Sequence, residues 1–366
     1  MRIVVGLSGG VDSAVSALFL KHQGHEVIGV FMKNWEEKNP QNICDAEKEA
    51  AEARLIAEKL QIPFYTVNFS DQYQKKVFTR FLCEHKKFRT PSPDILCNQF
   101  IKFDAFLKYA EKLGAEKIAT GHYAKICTDK IHPIFKLEIP ADKTKDQTYF
   151  LYALTQLQLS KTIFPLADLT KSEVRDIAKK NDFSNAYKKD STGICFIGER
   201  NYRLFLQQFL PKNPGEVITT EEKKVGTHDG LSFYTLGQRR DLHIGGIKNA
   251  KESPWYVIQK IAEKNQLVVS QDRDDPLLYS DEIFSTDFHW ICGNPTKKSQ
   301  PVLLRLRHLQ ELFCGNITVE TAEKSFDGRV RIIFEVPQRA VTLGQSVVVY
   351  DEAGTTCLGG GTIDGK

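Results

Sequence analysis

The first half of the chain alternates short apolar runs with longer stretches in which apolar and polar residues mix. The runs predict strands at residues 3–5, 26–32, 63–68 and 117–120, and the mixed stretches predict helices at 14–21, 45–60 and 100–113. Strands separated by helices at this spacing indicate a parallel sheet with crossover helices. Ligands of such sheets bind beyond the carboxyl ends of the strands, where the chain has a glycine-rich turn, Met32 and Gly121-His122.

The second half has a different texture. Residues 138–178 are predicted to be helical, with loops at Pro140 and Pro165, and residues 188–200 show no clear period and are predicted to form a loop. From Gly215 short β-type runs alternate with glycine turns, and from Ser280 strands are predicted at 302–307, 316–321, 330–336 and 346–350. We therefore predict an α/β protein with a parallel-sheet nucleotide-binding domain at 1–200, a small β-rich central domain at 201–275 and a C-terminal β-barrel at 276–366.

The most informative stretch of the chain is Gly6-Leu7-Ser8-Gly9-Gly10-Val11-Asp12-Ser13. A strand here passes through a glycine-rich turn into a helix N-terminus, where unpaired N–H groups and the helix dipole favour an anion, phosphate above all. Gly9 and Gly10 permit close backbone approach, and Ser8 and Ser13 can donate hydroxyl hydrogen bonds. The stretch lacks the spacing and the lysine of a Walker loop and does not match G-x-G-x-x-G.

Composition is ordinary for a globular protein, with 366 residues of which 41% are hydrophobic and 26% charged. No apolar run approaches the roughly 18 residues of a membrane span and no signal-peptide pattern is seen, so we expect a cytoplasmic protein with no membrane partner. The net charge of +4 is unevenly spread: residues 71–108 carry eight Lys/Arg against four Asp/Glu, and residues 297–339 carry eight against five. Such patches suit a polyanion, and solvated faces explain them equally well.

The eight cysteines are scattered, and no two form a C-x-x-C pair, so neither a zinc site nor an iron–sulfur cluster is expected. Most should be small buried side chains. Cys97 follows two prolines and precedes the helix predicted from residue 100, a position that lowers a thiol pKa, and Lys102 adds to this effect. Cys195 lies in the predicted loop between Gly193 and Gly198, and such loops often carry chemistry.

Eight motifs together give the chain a close resemblance to the bacterial tRNA-specific 2-thiouridylases, members of the pyrophosphate-loop ATPase superfamily. They are Ser-Gly-Gly-Val-Asp-Ser (8–13), Pro-Asp-Ile-Leu-Cys-Asn (93–98), Gly-His-Tyr-Ala (121–124), Lys-Asp-Gln-Thr-Tyr-Phe-Leu (145–151), Gly-Ile-Cys-Phe-Ile-Gly (193–198), Thr-Leu-Gly-Gln-Arg-Arg (235–240), Leu-Gly-Gln-Ser (343–346) and Leu-Gly-Gly-Gly (358–361). The resemblance implies an adenine nucleotide α-hydrolase-like first domain. It also implies ATP-dependent 2-thiolation of the wobble uridine of tRNA, with release of AMP and pyrophosphate.

By this resemblance, ATP adenylates the uracil O2, and Cys195 carries a persulfide supplied by a cysteine desulfurase or a sulfur-relay protein. Cys97 is then the partner nucleophile, which releases the sulfur by forming a transient disulfide with Cys195. Asp94 is a candidate for proton handling or base positioning, and stabilisation of the turn after Pro93 explains it equally well. Mg²⁺ is expected on the ATP phosphates rather than in a protein cage.

The same resemblance assigns the binding residues. ATP contacts are expected from Gly6, Leu7, Ser8, Gly9, Gly10, Val11, Asp12, Ser13, Met32 and Gly121, and contacts to the base or the tRNA from Ser92, Pro93, Asp94, His122, Lys145, Asp146, Gln147, Arg305, Leu306 and Gln345. Ser92 stands where the family commonly has Asn, and Leu343 where Pro is common. These departures concern RNA contacts rather than the reaction class.

Three other functions remain open at this point. Another pyrophosphate-loop enzyme could activate an acid to form an amide or amidine, which would need no pair of loop cysteines. A tRNA thiolase with an iron–sulfur cluster is disfavoured by the lack of C-x-x-C. A module that senses ATP or RNA without turnover is disfavoured by the presence of both Cys97 and Cys195 beside an intact glycine turn.

Overall fold

The computed structural model describes residues 1–36, 45–128, 134–189, 202–245, 253–293, 297–320 and 329–366. The strands of the first module are β1 (Arg2–Gly6), β2 (Glu26–Lys33), β3 (Phe64–Asn68), β4 (Lys117–Ala119), β5 (Lys125–Thr128), β6 (Phe135–Glu138) and β7 (Thr162–Ile163). Its helices are α1 (Val11–His22), α2 (Asp45–Lys59), α3 (70–86), α4 (93–112), α5 (Gln156–Ser160) and α6 (Lys171–Lys180), followed by α7 (Tyr202–Gln207). Helices α3 and α4 each contain a π-helical middle, Gln74–Phe78 and Asn98–Ala105.

Five parallel strands form the sheet of the first module in the order β3-β2-β1-β4-β7. Alternation along β1 sends Val4 to one face of the sheet and Ile3 and Val5 to the other. The face of Val4 shares a core with α3 and α4, and the opposite face shares a core with α1, α2 and α6. Because both faces are covered by helices, the strands are almost wholly apolar, as is usual for parallel sheets.

The central module is built on four strands, β8 (Gly215–Ile218), β9 (Lys224–His228), β10 (Tyr256–Ile261) and β11 (Gln266–Ser270). Their order is β10-β11-β8-β9, and only the β11–β8 pair among them is parallel. Val217, Leu231, Leu267 and Val269 form their own small core.

The C-terminal module is antiparallel throughout its described strands. These are β12 (Tyr279–Ser285), β13 (His289–Trp290), β14 (Ser299–Arg305), β15 (Phe313–Val319), β16 (Val330–Arg339), β17 (Ser346–Tyr350) and β18 (Thr356–Thr362), in the order β12-β16-β15-β14-β17-β18, with β13 beside β18. The sheet continues through β18 into the β5–β6 hairpin of the first module. One sheet is therefore shared by the first module and the C-terminal module.

The predicted parallel sheet, small β-rich centre and C-terminal antiparallel barrel are confirmed. The helix predicted over 138–178 is wrong: within it lie the 3₁₀ turns Lys143–Lys145 and Thr148–Phe150, the short α5 and β7, and α6. Pro140 and Pro165 interrupt the helical pattern, and backbone groups bond elsewhere, as in the 2.9 Å bond from Ile139 N to Thr355 O. The helix predicted from residue 100 begins at Pro93, because Pro is favourable in the first turn of a helix.

Residues 85–92, which we call the junction segment, bond to the central module. His85 Nδ1 donates to Ser232 O at 3.1 Å, and Lys260 Nζ donates to Phe88 O at 2.8 Å. The hydroxyls of Thr90 and Thr235 lie 3.0 Å apart. The segment between α3 and α4 is therefore held in place by a different module.

The same segment bonds to the C-terminal barrel. Thr90 N donates to Leu343 O at 2.9 Å, and Gln345 Nε2 donates to Thr90 O at 2.6 Å. Arg89 Nη1 lies 3.0 Å from Asp364 Oδ1. All three modules thus meet immediately before α4, the helix that carries Asp94 and Cys97.

Because His85 is buried in this junction, we expect the folded protein to lose stability at acid pH. Only 3% of His85 is exposed, Tyr202 OH donates to its Nε2 at 2.8 Å, and burial lowers the pKa of His85 from 6.5 to about 4. Between these values the unfolded chain binds the proton and the folded chain does not, so stability falls as pH drops below about 6.5. At pH 5 this costs about 1–2 kcal/mol of folding stability.

Melting curves at pH 7 and pH 5 should show that acidification lowers the stability of His85→Gln less than that of wild type. His22→Gln, at the exposed end of α1, should lose as much as wild type, and an equal loss in His85→Gln would contradict the assignment.

Candidate active site

The glycine-rich turn lies between β1, which ends at Gly6, and α1, which begins at Val11. Gly9 has φ +74°, and a Cβ there would lie 2.7 Å from Glu49 O, so only glycine fits without strain. Gly10 occupies the N-cap position, which has no side-chain cap. The first N–H groups of α1 thus face the carboxyl edge of the sheet without a capping side chain, as an anion site requires.

The two serines of the turn are oriented by each other. Ser13 Oγ donates to Gly10 O at 3.0 Å and accepts from Ser8 N at 3.2 Å. Ser8 is exposed, whereas Ser13 is buried. Asn185 Nδ2 donates to Gly9 O at 3.0 Å and holds the turn from outside. Hydrogen bonds therefore hold the glycine-rich turn in one conformation, and Ser8 presents the exposed hydroxyl of its two serines.

Two residues predicted beside the turn lie against it. Gly121 follows β4, and a Cβ on it would lie 2.7 Å from Ser13 N and 2.8 Å from Asp12 C. A Cβ on Gly6 would lie 3.0 Å from Met32 Cε and 3.6 Å from the ring of Phe106, so Met32 packs directly against the end of β1. The structure thus brings the turn, Met32 and Gly121 together at the carboxyl edge, while their predicted contacts with ATP remain predictions.

Sequence reasoning missed the partners of Asp12. Lys171 Nζ lies 2.7 Å from both carboxylate oxygens of Asp12, and Tyr123 OH donates to Asp12 Oδ1 at 2.9 Å. Lys171 is the first residue of α6, after a capping box between Thr170 and Glu173. That Thr-x-x-Glu pattern was a readable signal for the start of α6, but nothing in the sequence connects Lys171 with a residue 159 positions away.

The predicted position of Cys97, just before a helix, is wrong. Ser92 is the N-cap of α4, Pro93 its first residue and Asp94 part of its first turn, so Cys97 is the fifth helical residue rather than a residue before the helix. The effect of a helix end fades after the first turn, so the expected lowering of the thiol pKa by that end loses its basis. Cys97 is 1% exposed and belongs to the core that includes Ile95 and Ile101. Cys195, the predicted persulfide carrier, lies outside the described residues.

The predicted RNA contacts of the first module adjoin the turn. His122 Nδ1 lies 2.8 Å from Thr120 Oγ1, and the ring sits between Phe103 and Phe164. Burial, and then the charge of Lys102, holds the pKa of His122 well below its usual value, so this imidazole is neutral. The next residue, Tyr123, exchanges two hydrogen bonds with Gln147: its N donates to Gln147 Oε1 at 2.9 Å, and its O accepts from Gln147 N at 3.0 Å.

Asp146 and Arg305, both predicted to touch tRNA, instead face each other inside the protein. Asp146 is 0% exposed and Arg305 8% exposed, and Arg305 Nη1 donates to Asp146 Oδ2. In this conformation neither side chain is presented to solvent. Leu306 is 5% exposed, whereas Lys145 and Gln345 are half-buried, so these last two are the more accessible of the set. Contacts of all these residues with RNA remain predictions.

Within the described ranges no three or more His, Cys, Asp or Glu side chains are gathered as metal ligands would be. In the same ranges no helix has the length and apolar character needed to cross a membrane.

Comparison with known proteins divides the chain into three matched regions. Residues 1–199 match the family model described as the tRNA methyl transferase HUP domain, residues 203–271 match the tRNA methyl transferase PRC-barrel domain, and residues 280–363 match the aminomethyltransferase β-barrel domain.

Curated relatives match along the whole chain. A tRNA-specific 2-thiouridylase MnmA of Francisella philomiragia is 48% identical over 364 residues, covering 99% of both chains. The protein of the same name from Shouchella clausii is 50% identical over 363 residues, covering 99% of this chain and 96% of its own. Among solved structures, a 4-thiouridine synthetase–RNA complex with bound ATP is 20% identical with a TM-score of 0.34, covering 52% of this chain and 42% of its own.

The close contact at Gly121 predicts a selective loss of nucleotide binding. In Gly121→Ala the new methyl group would meet the backbone of Asp12 and Ser13, so the glycine-rich turn must shift. Overpacking of this kind costs about 1–3 kcal/mol, and we expect ATP binding measured by calorimetry to weaken about tenfold. Gly245→Ala adds the same methyl group where no atom of the described residues lies within 4 Å and should bind ATP as wild type does. Equal ATP affinity in the two variants would show that the turn does not contact the nucleotide.

Proposed function

The chain belongs to the tRNA-specific 2-thiouridylase family, and from this premise we propose that it thiolates the wobble uridine of tRNA by ATP-dependent adenylation of the uracil O2 and sulfur transfer from a cysteine persulfide. The substrates are ATP, with Mg²⁺ on its phosphates, and tRNA. A cysteine desulfurase or sulfur-relay protein supplies the sulfur, and the cytoplasm is the proposed location.

The observation that carries the proposal is the turn of residues 8–13 with Lys171 beside it. Lys171 pairs with the Asp12 carboxylate in the first turn of α1, whose N-cap has no side-chain cap, so the free N–H groups and the helix dipole at this turn favour an anion. The Walker lysine that serves γ-phosphate chemistry is not part of the motif. Attack by the uracil O2 on the α-phosphorus therefore yields an O2-adenylate and pyrophosphate.

The sulfur step follows from two thiols with different roles. A persulfide on Cys195 carries the outer sulfur, and the thiolate of Cys97 attacks the inner one, forming a Cys97–Cys195 disulfide and releasing hydrosulfide. The hydrosulfide adds to C2 of the activated uracil and AMP leaves with the former O2. The two thiols have then lost two electrons to the transferred sulfur, so a thiol reductant must reopen the disulfide before the next turnover.

The target base must leave the base stack of the RNA before it can react. The uracil O2 of a stacked base is out of reach of an enclosed turn, so the wobble nucleotide has to be extruded. Asp94, in the first turn of α4, and the neutral His122 are the proposed polar contacts for that base.

Methyl transfer, which two of the family-model descriptions name, is the other reading of the comparisons. It needs neither adenylation nor a persulfide carrier, so it leaves the turn of residues 8–13 and the paired cysteine motifs without a use. Mass spectrometry of tRNA nucleosides separates the two functions, because sulfur-for-oxygen exchange and methylation change the nucleoside mass differently.

The nucleotide products test the first half-reaction. Incubation with ATP, unmodified tRNA and a sulfur donor should yield AMP and pyrophosphate, because the nucleophile is expected at the α-phosphorus. Asp12→Asn should slow AMP formation, since it removes the charge that orients Lys171, while circular dichroism shows the fold intact. Chromatography that finds ADP and phosphate without AMP would refute adenylation.

The cysteines test the second half-reaction. Cys97→Ser and Cys195→Ser should each abolish thiolation, because a hydroxyl can neither carry nor resolve a persulfide. Mass spectrometry of the protein after exposure to a desulfurase and cysteine should find sulfur on Cys195 of the Cys97→Ser protein and none at that site in Cys195→Ser. Cys83→Ser and Cys314→Ser alter exposed thiols and should thiolate normally.

Two outcomes would change this assignment. A persulfide found on Cys97 and never on Cys195 would reverse the two roles. Full thiolation by either Cys97→Ser or Cys195→Ser would exclude the two-cysteine mechanism.

A further inference from the structure

Helix α6 reaches the glycine-rich turn of residues 8–13 in two ways. Lys171 and Arg175 are four residues apart in α6, so their side chains lie on the same face of the helix. Lys171 Nζ lies 2.7 Å from both carboxylate oxygens of Asp12. Arg175 Nη1 donates to Ala186 O at 3.2 Å and to Lys188 O at 3.0 Å. Lys171 therefore contacts the turn directly, whereas Arg175 holds a short backbone segment that follows the helix.

Asn185 lies in that segment and connects it to the turn. Its Nδ2 donates to Gly9 O at 3.0 Å, and the residue is only 4% exposed. Because a carbonyl oxygen can only accept, the amide nitrogen must face Gly9 and the amide oxygen must face away from it. That oxygen, Oδ1, is buried and has no hydrogen-bond partner among the described residues. A buried acceptor in this state lowers stability, which is typical of a side chain that serves a functional site rather than the fold.

The bond from Asn185 determines the orientation of the Gly9–Gly10 peptide. In a trans peptide the C=O and the following N–H point in opposite directions, so the N–H of Gly10 points away from Asn185. It faces the exposed side chain of Ser8, whose Oγ lies 3.4 Å from Gly10 N. Gly9, with φ +74°, and Gly10 have no Cβ that would oppose rotation of the peptide between them. A contact from outside the turn is therefore needed to keep this N–H directed outward.

We propose that Asn185 is a positioning residue for ATP: it holds the Gly9–Gly10 peptide with its N–H directed at the phosphates, and Arg175 acts through Asn185 by holding its backbone. If the peptide turned over, its carbonyl oxygen would face the phosphate oxygens and repel them. This inference rests on the proposed function, which places ATP at this turn. Asn185 precedes Cys195 by ten positions in the sequence, so the stretch of chain that orients the turn also leads to the proposed sulfur carrier.

The test compares ATP with adenosine, because only ATP has phosphates for the N–H of Gly10 to bind. With the full chain, Mg²⁺ and no tRNA, Asn185→Ala should weaken ATP binding in calorimetry about tenfold, as expected for one lost hydrogen bond to a charged group, and leave adenosine affinity unchanged. Asn185→Asp keeps the size of the side chain, but its carboxylate cannot donate to Gly9, so ATP binding should weaken at least as much. Asn181→Ala is the matched control: its Nδ2 donates to Ile177 O at 2.9 Å, away from the turn, and the variant should bind both ligands as wild type does.

A double-mutant cycle tests the role assigned to Arg175. Arg175→Gln should also weaken ATP binding, and the double variant with Asn185→Ala should bind ATP no more weakly than Asn185→Ala alone, because both changes release the same peptide. Lys180→Gln removes the same charge from the exposed last residue of α6 and should leave ATP affinity unchanged. Additive losses would show that Arg175 acts independently of Asn185 and would overturn this part of the proposal.

Two results would overturn the proposal as a whole. One is equal ATP affinity in Asn185→Ala and wild type. The other is an equal loss of ATP and adenosine affinity, which would make Asn185 a structural support of the whole site. If Asn185→Asp does not fold, as seen by circular dichroism, Asn185→Ala decides. Wild-type thiolation is assayed in parallel: a wild type that does not thiolate tRNA, although its ATP binding depends on Asn185 as predicted, refutes the proposed function and leaves this inference standing.

Discussion

The ion pair between Asp146 and Arg305 is the interaction on which the arrangement of the modules depends. Removing a carboxylate completely from water costs several kcal/mol, and a buried charge that loses its partner typically destabilises a protein by about 3–5 kcal/mol. Asp146 avoids that cost with Arg305 of the barrel and with the N and Oγ1 of Thr148, at 2.9 and 2.7 Å. A second residue of the barrel, His308, donates from its Nε2 to the backbone O of Asp146 at 2.8 Å. The barrel therefore supplies both the counter-charge of the Asp146 side chain and a donor to its backbone oxygen.

From this pair a chain of hydrogen bonds runs to the glycine-rich turn of residues 8–13. Gln147, the neighbour of Asp146, bonds to the backbone of Tyr123 at both its N and its O, and Tyr123 OH donates to Asp12 at 2.9 Å. Asp12 in turn pairs with Lys171. The contacts that hold the barrel and those that orient the turn therefore share one short stretch of backbone. Asp146 and Gln147, which the family resemblance predicts to contact tRNA, are in this conformation the residues from which those hydrogen bonds reach the glycine-rich turn.

The sequence predicted the parts of the structure that are determined by neighbouring residues in the chain. The turn of residues 8–13 was readable because strand, glycines and helix start lie in one octapeptide, and the apolar runs predicted the parallel strands. The pairing of Asp12 with Lys171 and of Asp146 with Arg305 joins residues 159 positions apart in both cases, beyond the reach of any local pattern. The β5–β6 hairpin was missed for the same reason, since its edge is completed by β18. Treating Pro93 as a helix breaker rather than a first-turn residue displaced the start of α4.

Contacts between the modules also determine the position of Cys97. The N-cap of its helix is Ser92, two residues after Thr90, whose N, O and Oγ1 are bonded to the barrel and the central module. Gly344 has φ +87°, and a Cβ on it would lie 2.9 Å from Arg89 Cβ, so the barrel loop can approach this closely only with glycine there. Local sequence specifies that α4 begins at Pro93, and the bonds that Thr90 makes to the barrel and the central module fix where that start lies in the protein. Cys97, the fifth residue of the helix, is therefore positioned by contacts from all three modules.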